Sequence, residues 1–310
     1  MEKYCFGIDV GGTTVKCGLF STEGEVLDKW EIPSRTEDGG KNILPDVAAA
    51  ILAKMEEKGL AKEEIAGVGI GVPGPVDDNG VIACAVNLHW GRLDIVKELG
   101  DLTGLKVKAG NDANVAALGE LWKGGGMGYH NVVLLTLGTG VGGGIIVNDR
   151  IFGGSHGAAG ELGHIHVEDA IKDPCNCGSC GCLEQVASAT GIARLAREEL
   201  AASEEDSLLR NGEVSAKAVF DAVKEGDALA IRVAERFGAY LGKAMSVFAC
   251  VLDPEVFVIG GGVSKAGPVL FDYIKKNYLL YAFPTAKNVA FELATLGNDA
   301  GIFGAAKMVL

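Results

Sequence analysis

The sequence predicts an α/β protein of two lobes, built from one unit used twice. Three observations carry this expectation. YCFGIDV, GGTT and VKCGLFS form an apolar run, a Gly/Thr turn and a second run that alternates apolar with small or polar residues. VVLLTLGTGVGGGIIVNDR repeats that plan in the middle of the chain and closes on an Asn-Asp turn. Strand-like and helix-like stretches alternate elsewhere, as in layered α/β folds. The 310 residues also exceed the roughly 100–200 usual for one domain.

Between the two hairpins, LPDVAAAILAKMEEKG has the spacing of an amphipathic helix and AGVGIGVPG reads as a buried strand entering a loop. LKVKAGNDAN reads as a strand that ends in polar residues where a helix begins. After the second hairpin come a glycine-rich stretch, GGSHGAAGELGH, and a cysteine cluster, PCNCGSCGCLE. The pattern from Gln185 to Leu252 is mostly helical. EVFVIGGGVSKAG gives another strand and glycine turn, and DAGIFGAAKMVL a closing helix. No Pro/Ser-rich linker separates the lobes, so crossing segments are expected, with 1–110 plus 296–310 as a smaller lobe and 111–295 as a larger one.

A hydrophobic content of 48% can fill two cores, yet no apolar run approaches the roughly 18 residues of a membrane-spanning helix. MEKYCFGIDV places Asp9 where a signal peptide would stay apolar, so a cytoplasmic location with reduced thiols is expected and no membrane partner. The net charge of −13 and the lack of a Lys/Arg block argue against nucleic acid. Any anion must be held locally, by backbone N–H groups or a cation.

GTGVGG, Gly138 to Gly143, satisfies G-x-G-x-x-G, but a dinucleotide fingerprint needs a helix at the glycines and here a strand, IIV, follows. No Walker A loop occurs. What remains is a Gly/Thr turn whose successive N–H groups can line a concavity for phosphate. One such turn alone reads as a tight hairpin. Two equivalent turns and a third glycine run, Gly260 to Gly262, point instead to a bound nucleotide.

On these segments the chain resembles the sugar kinase/Hsp70/actin superfamily. DVGGTTVKCGLF is similar to its first phosphate motif, TLGTGVGGG to its second and VIGGGVSKAG to its adenosine motif. The resemblance implies the two-lobed actin-like ATPase fold, ribonuclease H-like duplicated domains with a cleft between. It implies that Asp9 organises Mg²⁺ through water and that Gly11, Gly12, Thr13, Thr14 and Lys16 lie along ATP. Gly138, Thr139 and Gly140 serve the second turn, and Gly261 and Gly262 the adenosine.

GNDAN ends a strand, where α/β folds display chemistry. Asn111 and Asp112 can serve simply as helix caps. In the superfamily reading an aspartate must accept the proton of a sugar hydroxyl, as kinases commonly arrange, and Asp112 is the candidate. Glu161 and His164 stand three apart in ELGH, and Glu184 follows the cysteines. Acceptor-only carboxylates beside an amide and an imidazole make a sugar-binding set.

Four cysteines within Cys175–Cys182 are poor disulfide candidates in a reducing compartment. Cys175, Cys177 and Cys182 with His164 would form a closed tetrahedral site for structural Zn²⁺. Spacing also admits Cys180 and His166, and Cys177/Cys180 could be a redox pair, though without thioredoxin-like surroundings.

E-x-G-H followed by C-x-C-G-x-x-G-C-x-E resembles the signature of ROK proteins, the family of repressors, open reading frames and kinases. The resemblance implies His164, Cys175, Cys177 and Cys182 as zinc ligands, with Cys180 a bystander and the second ring nitrogen of His164 donating to a sugar hydroxyl. GVPGPVD and AVNLHW resemble further ROK stretches, which makes Asn87 a substrate-contact candidate and Trp90 a packing residue. The implied activity is transfer of the ATP γ-phosphoryl to the 6-hydroxyl of glucose, with N-acetylmannosamine and fructose as rival acceptors. A sugar-responsive repressor would carry a helix-turn-helix before the first motif, and with that motif at Asp9 none is expected. An actin-like ATPase serving protein partners would not need the carboxylate and metal cluster. Implied partners are glucose and MgATP, and the implied assembly a homodimer or homotetramer.

Overall fold

The computed structural model describes residues 2–310. In chain order the elements are β1 (Tyr4–Val10), β2 (Thr14–Ser21), β3 (Val26–Pro33), α1 (Ile43–Lys58), β4 (Ile65–Val72), β5 (Val81–Ile82) and β6 (Leu93–Asp94). Then come α2 (Ile95–Thr103), β7 (Val107–Asn111), α3 (Asp112–Lys123), β8 (Val132–Leu137), β9 (Val141–Val147) and β10 (Arg150–Ile151). The remainder is α4 (Glu184–Ala187), α5 (Ala189–Ala202), α6 (Ala216–Lys224), α7 (Ala228–Leu252), β11 (Val256–Gly260), α8 (Val269–Tyr281), β12 (Ala290–Leu293) and α9 (Ala300–Met308).

Two sheets carry the repeat. One runs β3-β2-β1-β4-β7, the other β10-β9-β8-β11-β12, so each hairpin occupies the same place in its sheet. In the first, β1 is antiparallel to β2 and parallel to β4, which is parallel to β7. In the second, β8 and β12 flank β11 in parallel and β9 pairs antiparallel with β10. Strand β4 is buried at every position, as a parallel strand covered on both faces must be. Strand β3 was missed in the sequence because it lies half-exposed, every second residue facing water, with no apolar run to announce it.

The chain forms two compact units. The first runs to His130 and includes Gly144–Gly160 and Thr295–Leu310; the second is Asn131–Gly143 with Glu161–Ala294. This differs from the expected boundary at residue 110, because α3 belongs with the first unit. It packs on α9 through glycines: a Cβ on Gly119 would stand 2.2 Å from the Ala300 carbonyl oxygen, and one on Gly304 1.7 Å from that of Val115. The core of the first unit joins Phe6, Ile8, Val68 and Ile70 of the sheet to Val47 and Ile51 of α1, whose buried residues recur at helical spacing. In the second unit side-chain caps open the helices: Ser188 accepts from Gly191 N–H, Ser215 from Ala218 N–H and Asp227 from Ala230 N–H. No helix among the described residues is long and apolar enough to cross a membrane.

Candidate active site

In the first unit the β1–β2 register sets Asp9 opposite Lys16 and closes the hairpin over Gly11 to Thr13. Gly11 N–H donates to Thr14 O at 3.0 Å, while Gly12 and Thr13 N–H donate to no protein atom among the described residues. Neither Gly11 nor Gly12 has a positive φ, and a Cβ on Gly12 would meet nothing nearer than 3.8 Å. Backbone strain and packing therefore leave position 12 open to a side chain. Glycine there keeps clear a space beside two unpaired donors, as an oxyanion requires. Lys16, expected along the nucleotide, donates from Nζ to Asn298 O at 3.0 Å.

Asp9 is half-buried, and its carboxyl is pushed up to about 6. Burial is the largest cause and the neighbouring Asp112 adds to it, while Lys16 opposes. Such a carboxylate beside a second acid suits a divalent cation, which would offset both charges.

Asn111 caps α3: its Oδ1 accepts from Ala113 N–H (3.0 Å) and Asn114 N–H (3.2 Å), and its Nδ2 donates to Gly74 O (3.2 Å). One amide hydrogen is left for a ligand, so capping takes most of this side chain. Asp112 is the first residue of α3, with Oδ1 accepting from Ala113 N–H at 2.8 Å. Buried Asn114, overlooked in the sequence, accepts from Ile145 N–H and donates to Ala159 O, tying the segment 144–160 to this helix start. Asn87 is exposed, and its Cβ lies 3.9 Å from where a Gly12 Cβ would be. Trp90 is buried with Nε1 donating to Gly40 O at 3.0 Å, a packing residue.

The second unit repeats the turn. Gly138 N–H donates to Gly140 O at 2.9 Å, and Thr139 and Gly140 N–H have no protein acceptor among the described residues. A Cβ on Gly138 would meet nothing within 4 Å. After β11, Gly261 has φ +80 and abuts the Leu137 backbone, while Gly262 opens on a cavity of about 350 Å³. Val263 and Lys265 of the same turn line it too, together with Ser215, Ala216, Lys217 and Phe220 of α6 and its cap. Such a size suits a nucleoside. The α6 wall was invisible in the sequence, where it is merely helical.

Glu161 and His164 flank one 3₁₀ turn, with His164 Nε2 3.7 Å from Glu161 Oε2. The other ring nitrogen, Nδ1, lies 3.6 Å from Cys175 Sγ, and Cys177 Sγ lies 3.6 Å from Cys182 Sγ. The four ligand atoms of His164, Cys175, Cys177 and Cys182 all fall within 4.8 Å of one another. A disulfide needs about 2.05 Å. Four ligands about 2.0–2.3 Å from a tetrahedral zinc would stand roughly 3.5–3.8 Å apart, so this donor set fits the metal. Cys180 and His166 turn elsewhere: Cys180 Sγ is on Lys172 O at 3.2 Å, and the His166 ring nitrogens face Cys180 O and Asp169 Oδ1. Glu184 stands beside the cluster, with Oε1 3.5 Å from Cys175 Sγ and Oε2 accepting from Val141 N–H at 3.0 Å.

Duplicated sheets, paired glycine turns and a nucleoside-sized cavity define the class as the sugar kinase/Hsp70/actin fold. Within it, the model of the ROK family matches residues 5–310, and the chain belongs to that family. A glucokinase of Halalkalibacterium halodurans is 46% identical over 99% of this chain and 95% of its own. One from Thermotoga maritima is 38% identical over 98% and 96%. Among solved structures, a ROK family glucokinase from Streptomyces griseus in complex with glucose and AMPPNP is 32% identical, covers 98% of each chain and superposes with a TM-score of 0.75.

Proposed function

We propose that this chain is an ATP-dependent glucokinase, converting D-glucose and MgATP to glucose 6-phosphate and ADP. The observation that carries the reading is the equivalence of two turns, Gly11–Thr13 and Gly138–Gly140. Each joins the hairpin strands at the same place in its sheet, each bonds its first N–H internally and leaves the next two without a protein acceptor among the described residues, and neither Gly12 nor Gly138 is needed as glycine by backbone or packing. Phosphate oxygens account for both. ATP then lies along Gly11 to Thr14 and Gly138 to Gly140, with its adenosine in the cavity at Gly261 and Gly262. Lys16 is left a charge role.

Asp112 takes the proton from the 6-hydroxyl as that oxygen attacks the γ-phosphoryl group. Asp9 would hold the Mg²⁺ that accompanies ATP, and the cation supplies charge neutralisation there. Glu161, His164 and Glu184 hold sugar hydroxyls, helped by the remaining amide hydrogen of Asn111 and by Asn87. Catalysis in this scheme is mostly placement, so fixed side-chain directions matter.

His164, Cys175, Cys177 and Cys182 would hold zinc, which supplies a fixed tautomer and ring direction to His164 and no activated water, its positions being filled by protein. With Nδ1 committed to the metal, Nε2 donates to the sugar. Reduced thiols fit a cytoplasmic setting, and we infer a homodimer or homotetramer, checked by sedimentation.

The test is a panel of hexoses and N-acetylhexosamines with MgATP. Glucose is expected to give the highest kcat/KM. A higher value for N-acetylmannosamine, N-acetylglucosamine or fructose would move the enzyme to another kinase specificity, and ATP turnover indifferent to sugar would overturn the sugar-kinase reading.

A further inference from the structure

The second glycine turn is held from behind by one short stretch of chain. Gly138 O accepts from Ala189 N–H at 2.7 Å, Thr139 O from Thr190 Oγ1 at 2.9 Å, and Val141 N–H donates to Glu184 Oε2 at 3.0 Å. These bonds tie the turn's carbonyls to 189–190 and leave the Thr139 and Gly140 N–H groups without a protein acceptor. The same stretch starts in the cysteine cluster: Cys182 N–H donates to Gln185 Oε1, and Ser188 N–H to Glu184 O. Glu184 reaches both ends: Oε2 takes the Val141 N–H, and the residue follows Cys182 of the cluster by two positions, with Oε1 3.5 Å from Cys175 Sγ, a contact that holds no proton once that sulfur is a metal-bound thiolate. Its fit against the turn is close, since a Cβ on Gly140 would stand 2.0 Å from Oε2.

We propose that Glu184 is a positioning residue for the nucleotide, a strut through which the metal-bound cluster fixes the direction of the second phosphate turn. The proposal rests on the kinase reading and adds to it. In that reading zinc organises the sugar side through His164; here it supports ATP binding as well, in the absence of sugar. The bond to Val141 N–H is charge-assisted, and its loss costs more than that of a neutral pair.

The test measures AMPPNP affinity, with Mg²⁺ and without sugar, by titration calorimetry. Glu184→Ala should weaken AMPPNP about tenfold or more. Glu184→Gln, which still offers Val141 an oxygen, should recover most of that nucleotide affinity, an outcome a mere folding role would not separate. Gly140→Ala should weaken AMPPNP in the wild-type background and cost little further in Glu184→Ala, where the collision is gone. Removing zinc by chelation, or through Cys175→Ser, should weaken AMPPNP in the wild type and add nothing to Glu184→Ala.

An AMPPNP affinity unchanged by Glu184→Ala, or a zinc effect undiminished in that variant, overturns the proposal. Purified wild type that carries no metal overturns the zinc half, and the Gly140–Glu184 pair then decides the strut half alone. Wild type that binds no AMPPNP overturns the kinase reading and the strut together. Normal AMPPNP binding with lost glucose binding in Glu184→Ala leaves the kinase reading standing and rejects the strut.

Discussion

Asp9 and Gly301 meet so closely that a Cβ on Gly301 would stand 2.5 Å from the Asp9 Cγ. The approach is built by the sheet beneath. A Cβ on Gly7 would fall 1.9 Å from Ile302 O and one on Gly69 1.7 Å from Ala305 O, so only a glycine-lined sheet lets α9 lie this deep. The helix start then covers the carboxylate, and burial lifts it to about 6.

That shift gives a signed pH dependence. The folded value lies above the usual 3.8, so the native state binds this proton more tightly than the unfolded chain. The native state is therefore penalised as pH rises from about 4 through 6, where burial must accommodate the charge. Asp9→Asn should match the wild type near pH 4 and exceed it by about 1–3 kcal/mol at pH 8, while losing ATP use. Thermal melts of both proteins across this range check it. A stability difference that does not grow with pH would contradict the assigned cause.

The two glycine turns were legible in the sequence because a repeated apolar–Gly/Thr–apolar pattern survives without any knowledge of contacts. The cluster of His164, Cys175, Cys177 and Cys182 was legible because sulfur and imidazole at such short spacing commonly mark a metal site. Other features lie in relationships that no local pattern records. Asn111 and Asp112 were both cap candidates in the sequence, and only the Ala113 and Asn114 N–H groups on Asn111 Oδ1 show which of them caps α3. The Ser215–Phe220 wall comes from a helix far along the chain that carries no motif of its own. The assignment of α3 to the first unit depends on Gly119 meeting Ala300 O, a contact between segments 181 residues apart, 300 − 119.

Position 12 tests the phosphate role directly. A Cβ at Gly12 or Gly138 meets no protein atom nearer than 3.8 Å and faces no positive φ, so folding should tolerate a small side chain. Gly12→Val should keep the thermal midpoint within a few degrees yet weaken ATP by about tenfold or more, with glucose affected far less. Unchanged ATP affinity would remove the first turn from phosphate binding.

Metal analysis distinguishes the cysteines. Cys175→Ser and Cys182→Ser each remove a sulfur from the four-atom cluster and should release about one zinc per chain, lowering stability and sugar affinity. Cys180→Ser, whose sulfur rests on Lys172 O, should keep the metal. Zinc retained by the first two variants would reassign the ligands.

Asp112 carries the sharpest prediction. Its carboxylate opens α3, where Asn111 already supplies the cap, so replacing it by asparagine keeps a side-chain oxygen for the Ala113 N–H and leaves the helix start intact. What the variant lacks is a group able to accept a proton. A general base acts on the transition state far more than on the bound sugar, so Asp112→Asn should hold glucose within about tenfold of wild type while kcat falls by roughly 10²–10⁴. Glucose affinity comes from calorimetry and turnover from a coupled assay of ADP release. Near-normal turnover would assign the proton to another acceptor; lost glucose binding with kcat preserved would make Asp112 a sugar ligand only.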